Sequence, residues 1–172
     1  RDAMFRIASM SKPIVSTAVL QLLEEGKLRL GDAAERWLPE LAEMQVLCSP
    51  NAPLSQTEPL ARPITVLDLL THRSGITYDF NSFGELQRAI APLRGSGIIA
   101  DMTPDEWMQA LGEVPLISQP GATWHYGFST DVLGVLLSRI DGKPLFEALT
   151  DRIFGPLGMK DTGFHVGPER RE

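Results

Sequence analysis

Ser9-Met10-Ser11-Lys12-Pro13 begins the stretch that decides how this sequence is read, and it runs on through Ile14-Val15-Ser16-Thr17-Ala18-Val19-Leu20-Gln21-Leu22-Leu23 to Gly26. Val15, Ala18, Val19, Leu22 and Leu23 recur at helical spacing, Thr17, Gln21, Glu24 and Glu25 occupy other faces, and Gly26 supplies a stop. Proline fits a helix only in its first turn, so Pro13 places Ser9 at or just before the helix start. Lys12 follows Ser9 by three positions, the spacing that puts two side chains on one helix face. A serine hydroxyl becomes an effective nucleophile when an adjacent base takes its proton, and a lysine amine can be that base. The free N–H groups and positive dipole end of the helix favour a developing oxyanion there. The expectation is a core helix with a reactive pair at its N-terminal end.

With eleven serines and four lysines in 172 residues, Ser-x-x-Lys alone is weak, so the rest of the chain has to carry the reading. A hydrophobic content of 43% suits one globular domain with a sizeable core. The net charge of −6 argues against a nucleic-acid or anionic-membrane surface, which needs clustered Lys and Arg, and Arg170 and Arg171 are too few. Cys48 is the only cysteine, which excludes an intrachain disulfide and a cysteine metal cluster. His72, His125 and His165 are widely spaced and read as structural histidines, so no metal and no cofactor is expected. No apolar run approaches the roughly 20 residues of a membrane span. The chain starts at Arg1 without an initiator Met or a signal-peptide pattern, and is expected to be a piece of something longer.

Further along, Leu28 to Leu41 reads as a turn and short helical segments, with Asp32 as an N-cap and Trp37 as a core anchor. Residues 49–63, with four prolines, read as a loop. Thr65 and Asp68 form a capping-box pattern for a short helix ended by Gly75. A punctuated region surrounds Gly95, Ser96 and Gly97. Thr103-Pro104-Asp105-Glu106 is the clearest helix start, and two more helices are expected over 130–140 and 144–154, parted by Asp141-Gly142. No long alternating strand pattern appears, so the chain is expected to be mainly α.

Five segments, in order, resemble the serine β-lactamase-like family of class C β-lactamases, D,D-peptidases and family VIII-type esterases. They are Phe5 to Pro13, Gly26-Lys27-Leu28 through Trp37-Leu38-Pro39-Glu40, Leu69-Leu70-Thr71-His72-Arg73-Ser74-Gly75, Pro120-Gly121 leading to Trp124-His125-Tyr126, and Ile153-Phe154-Gly155-Pro156-Leu157-Gly158-Met159. The resemblance implies the helical region of that α/β fold, residues 1–172 forming a partial domain with most of the antiparallel sheet outside the chain. It assigns Ser9 as acylating nucleophile, Lys12 as its base and Tyr126 as the proton shuttle, with Trp124 and Phe128 beside the substrate. A phenol has an ordinary pKa near 10, so cations or hydrogen-bond donors nearby would have to favour its ionised form.

The family's best-known pattern at the tyrosine is Tyr-x-Asn, whose amide holds an acylamino group of the substrate; here Tyr126-Gly127-Phe128 puts an apolar ring in its place. That favours an esterase on small acyl esters over a β-lactamase or D,D-peptidase; a catalytically silent binding or scaffolding protein is the rival from another class. The family's third element, a strand carrying Lys, His or Trp before x-Gly, is not convincingly present. His165-Val166-Gly167 matches the letters but follows the Pro-Leu-Gly-Met segment too closely, and His72 is expected to hold a loop near the site. The implied partner is a small ester or amide substrate, and helix faces left without the sheet imply self-association of the isolated chain.

Overall fold

Apolar periodicity and two capping boxes account for most of the architecture. The computed structural model describes residues 4–94 and 102–166; Gly95, Ser96, Gly97, Gly167, Arg170 and Arg171 lie outside the described residues. A 3-10 turn, Ala8–Met10, leads into α1, Ser11–Glu24, which buries Val15, Ala18, Val19 and Leu22. These pack against α5, Ser129–Asp141, whose Val132, Leu133, Leu136 and Leu137 are completely enclosed. Helix α2, Val66–Leu70, packs on α5 as well. Thr65 accepts the Asp68 N–H while Asp68 accepts the Thr65 N–H, a reciprocal cap that satisfies two donors the helix cannot use internally.

Two short antiparallel strands follow the first turns: β1, Gln45–Leu47, and β2, Thr57–Pro59, with Val46 opposite Glu58. Leu116 joins β1 through hydrogen bonds to Gln45 and Leu47. Helix α3 spans Gly84–Ile90 and α4 spans Pro104–Gly112, the latter with Thr103 as N-cap, Pro104 in the first turn and Glu106 closing the box. Gly142, at φ +64°, ends α5 in the left-handed conformation that glycine adopts without penalty. Helix α6, Leu145–Leu149, continues into one π turn, Thr150–Phe154.

The mainly α expectation holds. Several local expectations need correction. Asp32 accepts from the Arg29 N–H and closes a turn, while the helical turn Ala34–Arg36 has Ala33 at its N-cap. Trp37 does pack against the core, half-buried with Arg36 over its ring, and neighbouring Leu38 is fully enclosed. The stretch 49–63 contains β2, and α2 ends at Leu70, before Gly75. Gly75 has another reason to be glycine: its φ is +86°, and a Cβ there would run into the Ser118 carbonyl.

An ion-pair cluster closes the far end of the α1–α5 pair. The Arg152 guanidinium meets Asp141 at 2.5 and 2.7 Å and Glu25 at 2.6 Å, tying the ends of α1 and α5 to the π turn. Elsewhere, Phe5, Met10, Phe146, Leu157 and Phe164 stand exposed.

Candidate active site

At the opposite end of this helix pair, the start of α1 meets the start of α5. Ala8, immediately before Ser9, sits at φ +44°, a left-handed conformation that costs a non-glycine residue about 1–2 kcal/mol. The turn places Ser9 on the surface next to the loop that leads into α5. The Tyr126 hydroxyl donates to Ser9 Oγ at 2.6 Å, and Lys12 Nζ approaches the same oxygen at 3.5 Å. Nζ also lies 4.9 Å from the centre of the Tyr126 ring. Ser9, Lys12 and Tyr126, 117 residues apart at the extremes, therefore converge at one place on the surface. The hydrogen bond with Ser9 and the cationic Lys12 hold the Tyr126 phenol below its ordinary value, against desolvation and the charge of Asp131. The shift favours the ionised form of the phenol over the neutral one.

Two residues that sequence reasoning did not place here complete the cluster. Lys12 Nζ donates to Tyr78 Oη at 3.1 Å, and Tyr78 Oη donates to an Asp131 carboxylate oxygen at 3.2 Å. Burial and the Asp131 charge push the Tyr78 phenol far up, so it keeps its proton. Asp131 opens onto the cavity described below, yet protein crowds its carboxylate; this desolvation raises its pKa, opposed by Lys12 and the Tyr78 hydroxyl. One signal was available: the chain has only two tyrosines, and both are here. Asp131 stands in the first turn of α5, five positions after Tyr126, where an acid also suits the helix dipole.

Phe128 and Trp124 take different positions. Phe128 is 5% exposed and wedged edge-on between Tyr78 at 4.4 Å and Trp107 at 5.5 Å, where it lines a cavity of about 770 Å³. Leu93, Val135 and Leu149 extend the apolar wall, and Ser9 and Lys12 form part of its polar lining. Trp124 is 62% exposed and lies on Tyr126, 6.3 Å between ring centres and nearly parallel, outside the lining of that cavity.

His72 lies against the loop that carries Tyr126. Its φ is +55°, its carbonyl accepts the His125 N–H at 2.8 Å, and its ring rests 5.1 Å from that of Tyr126. Burial and the Lys12 charge lower the imidazole pKa. Gly127 permits the closest approach at the site, because a Cβ there would collide with the Ile76 carbonyl and the Thr77 backbone. The Tyr126 and Tyr78 segments are thereby pressed backbone to backbone. His165 is exposed. Among the described residues no group of three His, Cys, Asp or Glu side chains is arranged to hold a metal, and no helix is long and apolar enough to cross a membrane.

Known proteins share this arrangement of segments. The chain is 45% identical over 170 residues to Protein Rv1367c of Mycobacterium tuberculosis, covering 98% of this chain and 41% of that protein. It is 37% identical over 171 residues to the esterase EstB of Burkholderia gladioli, again covering 98% and 41%. The solved structure of EstCE1, a hydrolase with promiscuous acyltransferase activity, superimposes with a TM-score of 0.78 at 27% identity, covering 94% of this chain and 39% of that one. The chain thus spans about two fifths of the length of the curated relatives it matches. A family model described as Beta-lactamase matches residues 1–172, and on that match the chain belongs to the Beta-lactamase family, as the helical part of its fold.

Proposed function

We propose that this chain carries the nucleophile and the proton-handling groups of a serine hydrolase that cleaves small acyl esters through an acyl-enzyme on Ser9. The observation that carries the reading is the 2.6 Å contact between Tyr126 Oη and Ser9 Oγ with Lys12 Nζ beside both. In this reading Ser9 Oγ attacks the ester carbonyl and its proton passes to Tyr126, whose phenolate form Lys12 stabilises. Tyr126 then returns the proton to the departing alkoxide. A water that gives a proton to the same group attacks the acyl carbonyl, the carboxylic acid departs, and Tyr126 hands that proton back to Ser9 Oγ.

Esters are favoured over β-lactams and peptides by Phe128. A packed phenyl ring offers no partner to an acylamino group, and a site that leaves such a group unpaired loses affinity for it. The likeness to EstB and EstCE1 points the same way. The test has two parts, both in the full-length protein. Mass spectrometry after a fluorophosphonate should find one adduct, on Ser9; an unlabelled Ser9 would leave a silent binding protein as the answer. Hydrolysis of p-nitrophenyl acetate should exceed that of nitrocefin, and the reverse order would favour a lactamase or D,D-peptidase.

A further inference from the structure

Lys12 does not meet Ser9 alone. Its ammonium or amine nitrogen has a fixed partner on the other side, Tyr78 Oη at 3.1 Å, and that oxygen has a single proton to give. A carboxylate accepts and cannot donate, so with Asp131 at 3.2 Å the Tyr78 proton has one destination. Both lone pairs of Tyr78 are left for Lys12.

We propose that Asp131 is a positioning residue for the chemistry at Ser9: by accepting the Tyr78 proton it sets the polarity of the Asp131–Tyr78–Lys12 chain, so that Tyr78 anchors Lys12 Nζ beside Ser9 and Tyr126. The proposal rests on Ser9 being the nucleophile. It assigns a purpose to two groups that the acyl-transfer steps do not use. The Tyr78 ring is held independently of its hydroxyl, stacked on Phe80 at 4.9 Å and edge-on to Phe128 at 4.4 Å, so its oxygen is placed by packing. Asp131 is placed by the first turn of α5, the helix whose buried face grips α1. The anchor for Lys12 therefore comes from α5 and from the Tyr78 segment, while Lys12 itself rides on α1. Its position depends on all three packing together.

Asp131→Asn keeps the shape but offers an N–H that can turn the Tyr78 proton back toward Lys12. Tyr78→Phe keeps the ring and removes the oxygen. The readout is the rate of Ser9 phosphonylation by a fluorophosphonate in the full-length protein, resolved into reagent affinity and the first-order constant. In that step Ser9 Oγ bonds to phosphorus, fluoride leaves, and the serine proton passes to the Tyr126–Lys12 pair. Each single variant should lower the first-order constant by about 10- to 100-fold, the range that misplacing a catalytic group by about 1 Å can cost. Reagent affinity should stay unchanged. The positioning by Asp131 runs through Tyr78, so adding Asp131→Asn to Tyr78→Phe should change the constant far less than Asp131→Asn does in the wild type, the signature of one coupled unit, with only the direct charge of Asp131 on Tyr126 and Lys12 left to act.

A merely structural Asp131 would lower the melting temperature and leave the first-order constant of the folded protein alone. Multiplying effects in the double variant, or an Asp131→Asn constant equal to that of the wild type, would overturn the proposal. Should Asp131→Asn fail to fold, Tyr78→Phe decides by itself: a lowered constant at unchanged affinity supports the anchor, and a wild-type constant overturns it. A wild type that is phosphonylated yet hydrolyses no ester would defeat the esterase reading alone. A wild type that is not phosphonylated would defeat both.

Discussion

Replacing Phe128 by asparagine restores the family's Tyr-x-Asn pattern and tests packing and specificity together. The ring is 5% exposed and makes edge contacts with Tyr78 and Trp107. Removing a buried phenyl group costs about 3–5 kcal/mol in lost transfer energy and cavity. An amide unpaired in that wall adds about 1–3 kcal/mol. Asparagine is a favoured helix N-cap, but position 128 precedes α5 at φ −71° and ψ 6°, outside the extended geometry that capping uses, so capping does not offset this loss. The expected loss is about 4 kcal/mol or more, a large share of the roughly 5–15 kcal/mol that holds a domain together. Equilibrium urea unfolding of the full-length protein should show it as a lower midpoint at unchanged slope. Phe128→Leu should lose less, about 1–2 kcal/mol. In the folded fraction of Phe128→Asn, the ratio of nitrocefin to p-nitrophenyl acetate hydrolysis should rise, because the amide can pair with an acylamino group. An unchanged unfolding midpoint would refute the packing argument, and both rates changing in one ratio would refute Phe128 as the discriminating position.

Ser9→Ala and Lys12→Ala should each remove most ester hydrolysis, and near-wild-type kcat in either would sink the assignment. Tyr126→Phe should lower kcat about 10²- to 10⁴-fold with little change in KM; unchanged kcat would make Tyr126 a packing residue. Since its pKa is held below the ordinary value of 10.0, acylation should rise with pH toward a midpoint below 10, and Tyr126→Phe should abolish that rise. At the far end of the fold, Arg152 lowers the pKa of Asp141. A lowered carboxylate stabilises the folded state above the unfolded value near 4 and loses this as pH falls through the lowered value, so acid unfolding should steepen below about pH 4. Arg152→Met should flatten that dependence and cost about 3 kcal/mol at neutral pH, both read by denaturant unfolding. Finally, residues 1–172, which span about two fifths of the length of the curated relatives, should turn over little ester when expressed alone and should self-associate through exposed side chains such as Phe146, Leu157 and Phe164. A sedimenting monomer with full esterase turnover would contradict this.

Local chemistry was legible wherever one short segment carried its own signal. Pro13 located the start of α1, and the boxes at Thr65 and Thr103 located α2 and α4, because each pattern is satisfied within four residues. Helix α3 had no such mark: it begins at Gly84 with no side-chain cap. The strand pair was hidden because three residues are too few to show alternation, and β2 lies in a proline-rich stretch. At the site, the Ser9–Lys12 pair is legible from its spacing and Pro13, and Tyr126 from the family motif, whereas Tyr78 and Asp131 require tertiary structure. Tyr78 is 66 residues from Lys12 and 53 from Asp131, and nothing local to any of the three announces that they meet.

Gly127 carries a consequence for any attempt to redesign this site. It bears no side chain and takes part in no chemistry, and it sits between the two residues, Tyr126 and Phe128, that a specificity library would randomise first. The Ile76 carbonyl and the Thr77 backbone already occupy the space of its missing Cβ. A library that varies all three positions together would discard nearly every clone at the middle one, and would make its neighbours look far less tolerant than they are. Holding Gly127 fixed separates the two questions, and a deep mutational scan should show it as a one-residue column between two broader ones.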